Sequence, residues 1–365
     1  MKSIIAVSFF LLLGLQTGSA QQPAFKGTEF ERYKAVKDAG FDKAKLDKLS
    51  IYLKENSATT GMLVLHDGKA VFEYGNIKEV SYLASCRKSI LSILYGKHVK
   101  SGKIDLGETL GELQIDDNDG LLPIEKTAKV DHIITARSGV FHTPANGGYD
   151  KKNVQKRGSV KPGEYFLYNN WDFNVAGYIL EKKIEKTVYQ ELEEQLAKPL
   201  GFQDWNIKSQ KRTINKKKSR YSAYHMYLST RDMAKIGQLM FNKGKWNGKQ
   251  IIPKDWIRKT TSTVTPVEIL NKRNRNDETA KVQYSYGYMW WLYEKLHDNP
   301  DFEGAYEAGG FGGQFITIIP KLNLVVAHKT KLSTLEKWGV KKGGTPSWMY
   351  WNILDRLTKA RIKKE

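Results

Sequence analysis

Hydrophobic residues recur at helical spacing over 41–56, where Leu46, Leu49 and Leu53 fall on one face, and this predicts an amphipathic helix. The period then changes. Met62-Leu63-Val64-Leu65-His66 and 69–74 read as two strands joined by Asp67-Gly68, a dipeptide that tolerates positive φ, so a hairpin is predicted. The far end of the chain mirrors this pattern, with an aromatic-rich run at 284–293, a β-branched run at 313–319 and a third run at 322–328 after the turn at Pro320. Three further strands are predicted there. A closing helix over 347–359 presents Trp348, Trp351, Ile353 and Leu354 as its expected buried face. Between 85 and 259 the pattern is mostly helical, with loops at 147–148, 161–163 and 208–220.

These elements predict an α/β (α+β) architecture: an antiparallel sheet built from both chain ends (about 41–84 and 280–365), flanking helices, and an inserted, mostly helical region (about 85–279). A site is expected in the crevice between sheet and insertion. No internal repeat or long Pro/Ser-rich linker divides the chain, so residues 21–365 are read as one domain. The first 20 residues carry Lys2, an apolar run over 4–15 too short to cross a bilayer comfortably, and Thr17-Gly18-Ser19-Ala20, the pattern of a cleavable secretory signal. Cleavage after Ala20 and a secreted or periplasmic protein without stable membrane insertion are expected.

Composition changes the picture in two ways. A hydrophobic content of 40% with 12% aromatics supports a substantial core, and the single cysteine, Cys86, means that an exported protein would fold without an internal disulfide. The formal charge of +20, clustered at 151–161 and 208–220, favours anionic partners. Export and the lack of a recognisable binding motif argue against nucleic acid. An anionic cell-wall polymer, lipid headgroups or a carboxylated substrate are more compatible, and a solvated basic surface without a specific partner is the plain alternative. The seven histidines are scattered without ligand spacing, so neither a metal site nor an organic cofactor is expected.

The candidate chemistry begins at Ser85-Cys86-Arg87-Lys88, the one S-x-x-K of the chain. A serine three residues ahead of a lysine shares a helix face with it, and a lysine of lowered pKa can take the serine proton. Arg87 should point away from this pair. Cys86 is the weaker nucleophile candidate, because cysteine hydrolases usually need a histidine and none is near in sequence. Tyr168-Asn169-Asn170 offers a second acid/base, since a phenol beside an ammonium has its deprotonated form stabilised. The glycines of Glu307-Ala308-Gly309-Gly310-Phe311-Gly312-Gly313-Gln314 let a substrate lie against backbone donors, as an oxyanion hole requires.

In this order, the three segments resemble the penicillin-recognising serine hydrolases, the β-lactamase and DD-peptidase superfamily, and especially its class-C-like branch. The stretches 129–139, 199–201, 229–236, 244–253 and 286–288 also look like recurrent segments of that family, so the resemblance covers most of the chain. It implies a β-lactamase/transpeptidase-like fold, Ser85 as the acylated nucleophile, Lys88 as the base, Tyr168 as the proton donor to the leaving group, and Asn170, Gly310, Phe311 and Gly312 as substrate or oxyanion contacts, with the backbone N–H groups of Ser85 and Phe311 forming the oxyanion hole. One departure bears on substrate. The family's third motif usually carries a lysine or histidine that binds a carboxylate, and Gly309-Gly310-Phe311 has none. The pattern at 310–314 looks more like the esterase and 6-aminohexanoate-oligomer hydrolase branch. The expected activity is therefore hydrolysis of a small-molecule ester or amide, with a β-lactamase or DD-peptidase, or a catalytically idle cell-wall binder on the same fold, as alternatives. A cation from 208–220, Arg220 among them, is the expected substitute if a carboxylate must be bound.

Overall fold

The computed structural model describes residues 29–271, 282–332 and 344–362; the expected signal at 1–20 lies outside them. The helix read at 41–56 forms as α1 (Lys43–Asn56), started by Asp42, whose side chain accepts from the Lys45 N–H. Leu46, Leu49 and Leu53 are its buried stripe. The hairpin follows as β1 (Gly61–His66) and β2 (Lys69–Gly75), with φ of 48° at Asp67 and 77° at Gly68 in its turn.

Five strands, not three, come from the other end: β3 (Val282–Tyr286), β4 (Trp291–Leu296), β5 (Tyr306–Gly310), β6 (Gln314–Ile319) and β7 (Leu324–Lys329). The aromatic run at 284–293 is a hairpin rather than one strand, because Gly287 and Met289, the latter at φ 62°, reverse the chain between β3 and β4. The glycine-rich 306–310 stretch is itself a strand, paired with β6 from Tyr306↔Ile318 to Gly310↔Gln314. All seven strands form one sheet in the order β2-β1-β7-β6-β5-β4-β3, every neighbour antiparallel. The central β1–β7 pairing, Met62↔His328 through His66↔Leu324, joins the two chain ends.

Alternation along the strands splits the core in two. Met62, Val64, Phe315, Leu324 and Val326 face one way and pack with α1 and α5 (Ser347–Lys359); Leu63, Leu65, Ile316, Ile318, Val325 and Ala327 face the other and merge with the helical region. In α5 the buried stripe is Tyr350, Ile353, Leu354 and Leu357; Trp351 is half-buried and Trp348 lies off the stripe, 57% exposed, contrary to the sequence expectation. The inserted region contributes α2 (Cys86–Lys100), α3 (Asn170–Ile184) and α4 (Thr230–Phe241), along with short helices and small two-stranded pairings. The 208–220 loop is partly one of these: Lys211–Thr213 pairs with Ala223–His225. Its bonds run to Asp117, Glu181 and Tyr189, none of which is a partner of the candidate site.

Helix α4 lies directly on the sheet. Its Gly237 makes that approach possible, because a Cβ there would stand 2.5 Å from Val325 Cγ1 and 2.9 Å from Ile316 Cγ2. Both neighbours are β-branched and strand-bound, so they cannot swing aside. Gly237→Ala is therefore expected to lower Tm in thermal unfolding, the overpacking cost of ~1–3 kcal/mol outweighing the gain in helix propensity of about 1 kcal/mol; an unchanged or raised Tm would contradict this packing.

Candidate active site

Ser85 stands where a short strand turns into a helix. Ser81–Tyr82 pairs with Tyr227–Leu228, Ala84 takes φ 49°, a left-handed conformation unusual for alanine, and Ser85 becomes the N-cap of α2. This turn leaves Ser85 half-buried at the head of a helix whose next residues are all buried. Lys88, one turn on, is 2% exposed, and its Nζ lies 3.0 Å from Ser85 Oγ and 2.6 Å from Tyr168 Oη. The sequence-predicted serine, lysine and tyrosine thus meet at one nitrogen.

The surroundings of that nitrogen are aromatic. Nζ sits 4.1 Å from the Tyr168 ring centre and 4.5 Å from that of Phe173. Burial here pushes the Lys88 amine well below the ordinary lysine value, and the Arg87 charge pushes it further in the same direction. Tyr168 moves up, to about 12, again chiefly through burial. This corrects the expectation of a phenol made more acidic by a neighbouring ammonium: burial of the phenol outweighs the charge that its neighbours offer. Burial thus favours the uncharged form of both groups, and an uncharged amine at this place can accept the proton of Ser85.

The glycine-rich segment closes the site from the sheet. A Cβ on Gly310 would stand 2.5 Å from the Leu83 carbonyl oxygen and 3.2 Å from Cys86 Sγ, so only glycine lets the end of β5 lie against the start of α2. Cys86 fixes the same contact, its Sγ donating to the carbonyls of Ala308 at 3.3 Å and Gln314 at 3.1 Å. It is fully buried and its thiol pKa is raised by desolvation, which suits a structural clamp and not a nucleophile. Phe311 projects outward at the tip of the turn that follows, 64% exposed, with Gly312 beside it at φ 77°.

Asn170 is buried, its amide donating to the Gly147 carbonyl while Oδ1 has no partner; its bonds support the 147–148 turn, and none reaches Ser85, Lys88 or Tyr168. Ser138, in the Ser-Gly stretch picked out by resemblance, donates to Asp172 Oδ1 at 2.7 Å and so ties that loop to α3.

Trp291 is a residue that the sequence reading missed. It stacks on Tyr168 with ring centres 5.7 Å apart, and its Cδ1 lies 3.6 Å from where a Gly309 Cβ would be. Glu307 Oε1 is 3.5 Å from the same point. The third motif is thus flanked by an indole and by a carboxyl that accepts from Tyr284, Tyr293 and Thr317 and whose pKa burial raises to about 7. Membership of an aromatic-rich run gave the only available signal for Trp291. Among the described residues, no cluster of three or more His, Cys, Asp or Glu is placed to hold a metal, and no helix is long and apolar enough to cross a membrane.

Comparison with known proteins agrees with this geometry. Solved structures that superpose on the chain include a Bacillus anthracis protein provisionally described as a 6-aminohexanoate-dimer hydrolase (TM-score 0.59, 20% identity, covering 91% of this chain and 88% of that one). An octameric penicillin-binding protein homologue from Pyrococcus abyssi also superposes (TM-score 0.59, 18% identity, 89% and 79% covered). So does EstCE1, a hydrolase with promiscuous acyltransferase activity (TM-score 0.60, 13% identity, 88% and 98% covered). At these identities the likeness shows the fold, a β-lactamase/transpeptidase-like one. A family model for Beta-lactamase matches residues 51–337, which is most of the chain and includes Ser85, Lys88, Tyr168 and the 307–314 segment, and the protein belongs to the Beta-lactamase family.

Proposed function

We propose that the protein is an exported serine hydrolase that opens a small-molecule ester or amide through an acyl-enzyme on Ser85. The observation that carries this reading is the Lys88 amine, desolvated and within hydrogen-bond reach of both Ser85 Oγ and Tyr168 Oη. Ser85 Oγ attacks the acyl carbon as its proton passes to Lys88 Nζ. The tetrahedral intermediate collapses when the bond to the leaving group breaks, and the proton from Lys88 reaches that group through the Tyr168 hydroxyl, which gives up its own proton and takes the lysine's. Water then attacks the acyl-enzyme, its proton passing to the same pair, and Ser85 Oγ recovers a proton as the acid departs. The backbone N–H groups of Ser85 and Phe311 supply the oxyanion donors. The N-terminal signal pattern supports export.

Esters and simple amides are preferred over substrates bearing a carboxylate. Support comes from the Trp291 indole and the Glu307 carboxyl flanking Gly309, where the family usually offers a cation. In the basic segment 208–220, considered as a substitute, Arg212 is paired with Glu181 and the Arg220 N–H donates to Asp117. A β-lactamase or DD-peptidase acting on cell-wall peptide is the competing reading, with an idle binder of anionic cell-wall polymer behind it.

Three outcomes are expected. Ser85→Ala loses on the order of a thousandfold or more in p-nitrophenyl ester turnover, and a fluorophosphonate label maps to Ser85; retained turnover, or label on Cys86, removes the acyl-enzyme assignment. The pH profile of kcat/KM follows the Lys88 amine: activity is lost as pH falls and the amine is protonated, reaches its plateau well below the ordinary lysine value, and shows no alkaline decline until the approach to about 12, where Tyr168 ionises. A limb still climbing near pH ~10 would show a lysine of ordinary basicity and defeat the mechanism. Finally, kcat/KM for a short-chain p-nitrophenyl ester exceeds that for nitrocefin, since lacking a charge-assisted carboxylate contact costs roughly ten- to a hundredfold; faster nitrocefin hydrolysis promotes the β-lactamase reading.

A further inference from the structure

Arg87 lies between Cys86 and Lys88 and is 1% exposed. Its guanidinium carbon stands 4.3 Å from the Tyr224 ring centre, Nη2 donates to Asn174 Oδ1 at 3.3 Å, and Nη1 is buried without a partner. As the sequence led one to expect, the side chain turns away from Ser85. Its burial without a counter-charge was not expected. Arg157 pairs with Glu125, Arg212 with Glu181 and Arg231 with Asp204, whereas among the described residues no carboxylate forms an ion pair with Arg87. A buried cation of this kind is costly, and its field reaches nearby groups with little screening.

The neighbouring residue on each helix shows where that field falls. Arg87 meets Asn174 of α3 while Lys88 meets Phe173, so the two buried cationic groups, on adjacent residues of α2, both lie against α3. We propose that Arg87 is a positioning residue for acyl transfer: its uncompensated charge keeps the Lys88 amine free of a proton until Ser85 delivers one. The same charge then works on the second half of the step. Once protonated, the Lys88 ammonium stands beside a like charge, so it readily gives the proton up through Tyr168 to the leaving group.

The groups around Lys88 leave Arg87 as the charge that matters. On its own helix the Cys86 thiol is neutral and held by two carbonyls. From α3 the Asp172 carboxyl is bonded to Ser138 and raised by burial well above the usual carboxylate range. From the sheet come the Tyr286 phenol, raised by burial, Glu307, held by three hydroxyls, and Lys329, which donates to the carbonyls of Ser81 and Leu228 and is lowered to about 7 by burial. Tyr168 and Tyr82 are phenols raised by burial against the opposing pull of Arg87. His225, close enough to feel the same charge, is lowered to about 4, by burial first and Arg87 second.

The inference rests on Lys88 acting as the base for Ser85, and the test separates the two. Fluorophosphonate inactivation rates and ester kcat/KM are measured against pH for the wild type, Arg87→Gln, Arg87→Lys and Asn174→Asp. Loss of the charge in Arg87→Gln moves the acid limb up by about one pH unit, a roughly tenfold loss on the acid side with the plateau less affected; Arg87→Lys keeps the limb near the wild-type position. Asn174→Asp leaves Arg87 in place, alters almost no volume, and sets a carboxylate against the guanidinium, so its limb also moves up. That variant decides the matter if Arg87→Gln does not fold. A structural role would change Tm or the plateau and leave the limb unmoved, so a folded Asn174→Asp enzyme with the wild-type limb overturns the proposal. A Ser85→Ala protein that stays active overturns instead the reading on which it rests.

Discussion

The desolvation of one amine is the constraint on which the rest of this structure depends. A lysine in water holds its proton at neutral pH and cannot take one from a serine. Lys88 is closed in by Tyr168, Phe173 and the start of its own helix, and this burial favours the neutral form. The same enclosure raises the Tyr168 phenol, so burial favours the uncharged form of both groups. The relay proposed for this pair needs no histidine and no carboxylate.

Holding that geometry requires the sheet to meet the helix head without a gap. Gly310 permits the approach of β5 to Leu83, and the Cys86 thiol bonds the carbonyls on both sides of the glycine turn. The cysteine that might have competed with Ser85 instead fixes the distance between the serine and the sheet. Helix α3 supplies the opposite wall, and its own position is set by buried polar bonds: Trp171 Nε1 donates to Asp117 at 2.7 Å, Asn169 caps its first turn, and Ser138 holds Asp172. These bonds order the wall that desolvates Lys88.

Asp117 also explains the fate of the basic segment at 208–220. It is fully buried and accepts from the Ser219 hydroxyl and the Arg220 N–H, while Arg212 pairs with Glu181 and the Lys211 carbonyl accepts from Tyr189. The lysines of that run lie on a segment whose backbone is fastened to the insertion.

What the sequence determined by itself was local in origin. The amphipathic period of 41–56, the Asp67-Gly68 turn, the β-branched runs and the S-x-x-K spacing each follow from backbone geometry over a few residues, and each appears in the structure as read. Pairing of the two chain ends was legible too, because strand patterns at both ends flank a mostly helical middle. Tertiary structure alone decided the rest. It folded 284–293 into a hairpin through a positive φ at Met289, left Trp348 off the buried stripe, stacked Trp291 on Tyr168 across more than a hundred residues of sequence, and reversed the expected shift of the phenol. Each of these outcomes depends on which surfaces lose water when distant segments pack. Burial, unlike periodicity, belongs to the assembled fold, and it sets both the charge of Lys88 and the solitude of Arg87.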